Sequence, residues 1–76
     1  MTDERYIQHI LAVLAESPKP LTAQDIAKRC RGRSEWCNRN LTSRMVGGLL
    51  AQEEKAGRAV RTLDKRIGRN VWRLTA

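Results

Sequence analysis

The chain has no phenylalanine, one tyrosine and two tryptophans among its 76 residues. So few aromatics build no stacking platform, which argues against single-strand binding by base stacking. Histidine occurs once, at His9, and cysteine twice, at Cys30 and Cys37. A zinc site wants four ligands at short pairwise spacing, so no metal and no cofactor is expected. The cysteines fit free thiols in a reducing compartment better than a disulfide scaffold. A bond between them is the alternative, if the segment joining them folds back. No apolar run approaches the ~20 residues of a membrane span. The start, Met1 to Arg5, lacks the charged-then-apolar order of a secretory signal. A cytoplasmic protein with no membrane partner is expected. No Ser/His/Asp set, pocketed carboxylate pair or glycine-rich phosphate loop stands out, and no enzyme is expected.

What the chain has is positive charge, and it lies in one half. Residues 1–30 carry four basic and four acidic side chains, whereas residues 31–76 carry eleven Lys/Arg against four acids. The whole net charge of +7 therefore sits in the second half. A localised cationic surface is the usual footprint of a polyanion binder. With 41% apolar and 30% charged residues the composition is that of a folded domain. At this length residues 1–76 are expected to form a single domain with one small core.

Three helices are predicted. The first spans about 3–16, with Thr2 as cap and Ile7, Ile10, Leu11 and Leu14 at half-buried helical spacing. The Ser17-Pro18-Lys19-Pro20 segment ends it, because proline removes donors and fixes φ. Thr22 opens a second helix over about 22–31, with Asp25 three residues on as in a capping box. Its inner stripe is Ile26, Ala27 and Cys30. A polar connection, 31–37, follows and holds Trp36 and Cys37. The third helix spans about 39–56, capped by Asn38 or Asn40. At 100° per residue, Leu41, Met45, Val46, Leu49 and Ala56 share one side, with Leu50 at its edge. Gly57 is the expected terminator.

Residues 58–74 read as a basic hairpin, with strands at about 58–63 and 71–74. Val60, Trp72 and Leu74 are the expected core-facing residues, and 64–70 form the tip. A very short third strand near Pro20–Leu21 could pair with it. The expected class is thus α+β: three helices, then a C-terminal β-hairpin.

This order resembles the winged helix-turn-helix superfamily over nearly the whole chain. The carriers are PLTAQDIAKRC at 20–30, LTSRMVGGLLAQEEKAGRAVRT at 41–62 and GRNVWRL at 68–74. A narrower stretch, MVGGLLAQEEKAGRAVRT with a closing Trp, is similar to the small winged-helix proteins of bacterial ferrous-iron uptake operons. That family carries a cysteine cluster in its wing, whereas 63–70 here has no cysteine. A second departure is Glu53, where winged helices commonly place Leu. It suggests a partly exposed last turn, or a partner.

The resemblance implies double-stranded DNA as partner, with helix 3 in the major groove and the wing on backbone or minor groove. The expected contacts on or beside helix 3 are Arg39, Asn40, Ser43, Arg44 and Gly47. Arg can bind guanine bidentately and Asn adenine. The bland reading is a solvated polar face. Gly47 and Gly48 fit close approach to DNA or close packing against another helix. Arg58, Arg61, Lys65, Arg66, Arg69 and Arg73 are the expected wing contacts, more cations than edge protection needs. Cys30 reads as a small core residue, Cys37 as a loop residue and His9 as a surface residue of helix 1. Trp36 is expected to plug the core from its loop, with an exposed position as a partner contact the alternative. The competing function is a winged helix that docks on an acidic protein. A protein partner or a homodimer stays open, as does RNA on the same cationic face.

Overall fold

The computed structural model describes residues 2–75, with the side chains of Thr2 and Asp3 outside the described set. It contains four helices and one hairpin: α1 Thr2–Glu16, α2 Ala23–Arg33, α3 Glu35–Asn40, α4 Ser43–Lys55, β1 Ala59–Asp64 and β2 Arg69–Leu74. The class is α+β, and the order is compatible with a winged-helix arrangement. The helix count is four where three are expected.

Helix α1 buries Tyr6, Ile10, Val13 and Leu14, with Ile7 half-buried against them. The expected stripe is slightly rotated, because an aromatic and a β-branched residue carry the same helical period as the aliphatics around them. Leu11 is left half-buried. Thr2 stands inside the helix, and the cap expected of its side chain lies outside the described residues. Beyond Glu16 the Ser17 hydroxyl donates to the Lys19 carbonyl at 2.6 Å and the chain turns.

Helix α2 starts as expected. The Thr22 hydroxyl accepts from the Asp25 amide at 3.1 Å, filling one orphan donor of the first turn. Ile26, Ala27 and Cys30 have no exposed surface. The helix continues two residues beyond the expected end, to Arg33, and stops at Ser34 in extended conformation.

The expected polar connection is largely helical. Ser34 precedes α3, and Cys37 within it is wholly buried in the core rather than in a loop. Asn38 and Asn40 belong to α3 and cap nothing in α4. The break falls at Leu41–Thr42, both extended. Leu41 is buried, and the Thr42 hydroxyl accepts from the Met45 amide at 3.2 Å. A threonine hydroxyl offers the backbone this alternative to a continuous helix. The α4 stripe is Val46, Leu49, Leu50 and Glu53, with Met45 half-buried. Ala56, expected on the stripe, lies past the helix and is exposed.

Gly57 closes α4 at φ 83°. Its amide donates to Glu54 at 3.1 Å and the Arg58 amide to Glu53 at 2.9 Å, the bonding of a Schellman motif. Strands β1 and β2 are antiparallel, from Ala59 opposite Leu74 to Asp64 opposite Arg69. A single isolated bridge joins Leu21 to Trp72, with bonds of 3.0 and 2.7 Å, at the place expected for a short third strand, and the sheet itself has two strands. Trp72 and Ala59 are buried in the core. Leu74 packs half-buried against it, whereas Val60 is half-buried and stands outside the core cluster.

Trp36 does not plug the core. It is 36% exposed, stacks on Tyr6 with ring centroids 6.4 Å apart and carries the Arg5 guanidinium 5.1 Å above its ring. Tyr6 fills the interior beneath it, so the larger ring is held on the surface.

Candidate nucleic-acid interface

Three elements that are distant in sequence open onto one cleft. Thr22, Ala23 and Gln24 come from the start of α2, Ser43 and Arg44 from the start of α4, and Arg69 and Asn70 from the start of β2. Two hydroxyl caps, at Thr22 and Thr42, place both helix N-termini at or beside this opening. Helix N-termini carry partial positive charge and unpaired amides. Arg44 and Arg69 add two full charges. Arg69 Nη1 donates to Gln24 Oε1 at 2.9 Å, which ties the hairpin to α2 across 45 residues of sequence. The arrangement offers an anion several donors from fixed backbone and two guanidinium groups.

The expected contacts divide into those the structure gathers and those it engages elsewhere. Ser43, Arg44 and Arg69 line the cleft. Lys65 and Arg66 are exposed on the turn just before Arg69. Among the described residues, Arg44, Lys65, Arg66 and Arg69 form no ion pair.

Arg58 is committed to the fold. Its Nε donates to the Glu53 carboxylate at 2.6 Å, and that carboxylate is 3% exposed. The last turn of α4 is partly exposed, at Gln52 and Lys55, but Glu53 itself is buried, and the half-exposed Arg58 side chain covers it. Arg61 reaches Glu54 at 3.6 Å and lies 5.7 Å over the Trp72 ring. Arg39 faces Glu35 within α3 at 3.8 Å, and Asn40 donates from Nδ2 to the Trp36 carbonyl at 2.9 Å. Both belong to α3, so neither extends the outer face of α4. Arg73 lines a separate groove beside Leu14, Pro18 and Pro20.

The exposed face of α4 runs through Arg44, Gly48, Gln52 and Lys55, with Gly47 and Ala51 half-buried. A Cβ built on Gly47 or Gly48 would meet nothing within 4 Å. Close helix packing therefore does not account for either glycine. Thr22, Ala23, Gln24 and Asn70 are the cleft residues that sequence reasoning missed as contacts. A polar residue two positions after the Thr22 cap is the signal that could have found Gln24.

Cys30 and Cys37 lie in the core away from the cleft, and both are free thiols. Burial pushes the Cys30 thiol up from 9.0 to about 11, with neighbouring Cys37 adding and Arg33 opposing. Among the described residues no three His, Cys, Asp or Glu side chains gather where they could hold a metal ion, and no helix is long and apolar enough to cross a membrane. No family model, curated protein or solved structure matches the chain.

Proposed function

We propose that the protein binds double-stranded DNA as a winged helix-turn-helix, in the role of a small transcriptional regulator. Helix α4 enters the major groove, which is wide enough to admit a helix. The hairpin holds the adjacent backbone or minor groove. One observation carries this reading. Arg44 on α4 and Arg69 on the hairpin, 25 residues apart in sequence, line the same cleft as the N-terminus of α2. Neither has an acidic partner among the described residues.

The division of labour follows from position. Arg44 is the second residue of α4, at the end that a recognition helix presents to base edges. Arg69 and the turn cations suit phosphates, which fix position without reading sequence. The neighbouring Ser43 and the open surface at Gly47 and Gly48 leave room for base edges and sugar. The test is fluorescence anisotropy with random and genomic duplexes at two salt concentrations. Binding that weakens steeply with salt and differs among sequences supports the reading. No affinity for any duplex at low salt overturns it and turns attention to an acidic protein or RNA.

A further inference from the structure

We propose that the hairpin tip is an apolar wedge that enters the minor groove and unstacks a base step, bending the duplex. The proposal rests on the DNA-binding reading above and assigns the tip a role that phosphate contact alone does not require.

Only three large apolar side chains are exposed among the described residues, and two of them stand at or beside this tip: Ile67, at 52%, on the turn, and Leu63, at 56%, near the end of β1 opposite Asn70. Scattered apolar residues on a surface need no explanation. These two are not scattered: they fall within seven residues that also carry Lys65, Arg66 and Arg69. Cations around an apolar point match a target that is anionic at its rim and apolar within. The minor groove has that character, with phosphates along its edges and stacked bases at its floor. Proteins that kink DNA insert Leu, Ile or similar side chains between base steps, next to Arg or Lys.

The tip is also built before any contact is made. The Asp64 carbonyl accepts from the amides of Ile67 at 3.3 Å and Gly68 at 2.8 Å, and the Asp64 carboxylate accepts from the Arg66 amide at 3.0 Å. Gly68 takes φ 68°, a conformation that L side chains rarely adopt. Ile67 is thus presented on a fixed turn, which lowers the ordering cost of insertion. At the foot of the turn Arg69 is held by Gln24. The wedge is therefore tied to the cleft that the start of α4 lines.

The experiment uses the full chain and a duplex carrying 2-aminopurine at a central TA step, with a donor and acceptor dye at its ends. Pyrimidine–purine steps are the easiest to unstack. Binding by the unaltered protein is expected to raise 2-aminopurine fluorescence and shift energy transfer towards a kinked duplex. Ile67→Ala is expected to lose both signals while keeping most of the low-salt affinity, because the cations remain. Ile67→Met is expected to retain them. Circular dichroism checks that the variants fold, which the 52% exposure of Ile67 leads one to expect. Duplex binding with no change in stacking or bend overturns the wedge and leaves the DNA-binding reading standing. No duplex binding at all overturns both. Binding to phosphatidylglycerol vesicles that Ile67→Ala abolishes, with the duplex left stacked, assigns the tip to a lipid surface and overturns the wedge.

Discussion

Arg44 and Arg69 stand on one cleft and are proposed to do different work. Arg44→Ala is expected to change which sequences are preferred, with roughly 1–3 kcal/mol lost at one base pair. Arg69→Ala is expected to weaken all duplexes by a similar factor and lower the salt slope by roughly one. A panel of single-base duplex variants, titrated at several salt concentrations, separates the two. Equal effects of both variants on every sequence would remove base reading from Arg44. Cys30 supports a prediction of another kind. Its thiol ionises at about 11 in the folded protein against an ordinary 9.0. Between those values the unfolded chain has lost the proton and the folded one still holds it, so stability falls as pH rises through this window. Urea denaturation from pH 8 to 11 is expected to show a steeper decline for the unaltered protein than for Cys30→Ala.

The hairpin is anchored to α4 by charge as well as by backbone. Glu53 is buried, and its cover is Arg58, whose side chain is 61% exposed. A carboxylate stripped of its partner inside a protein is costly, while the exposure of the arginine moderates the loss. Arg58→Ala is therefore expected to destabilise the fold by about 1–3 kcal/mol, measured by urea denaturation. The salt slope of duplex binding is expected to stay the same, because Arg58 is not among the free cations. A fall in slope with unchanged stability would return Arg58 to the DNA-contacting set. Helix boundaries show how much of the elements was legible. Thr22 capping Asp25 and Gly57 ending α4 are both readable, since each rests on one residue's own chemistry. The break at Leu41–Thr42 was not. Leu41 continues the apolar period of α4 on a wheel and is buried as that period predicts, and only its extended backbone, before the Thr42 cap, assigns it to the joint.

Across the whole molecule the question is how many cations reach phosphate. Eight of the basic residues expected at the interface would give a log–log salt slope of about −7 if all did so. The structure engages Arg39, Arg58 and Arg61 with acids and places Arg73 on another groove. Four remain around the cleft and tip: Arg44, Lys65, Arg66 and Arg69. The expected slope is about −3 to −4, read from anisotropy titrations between low and physiological salt. A slope near −7 would mean that these ion pairs open on binding and that Arg73 reaches phosphate as well. A slope near zero would remove the polyanion reading altogether.

Period, punctuation and charge were written locally, and so the sequence alone determined the α+β class, the hairpin and the concentration of positive charge in the second half. Each depends on residues within a few positions of one another. Packing decided the rest. Trp36 lies outside, stacked on the buried Tyr6, while its neighbour Cys37 lies inside, and no window around residue 36 contains Tyr6. Glu53 is inside because Arg58, beyond the helix end, folds back over it. The cleft itself needed the tertiary fold most. Gln24, Arg44 and Arg69 lie on three elements, and only the packing of α2, α4 and β2 brings them to one opening. Charge is additive along a chain, but which charges remain free depends on which acids the fold sets beside them.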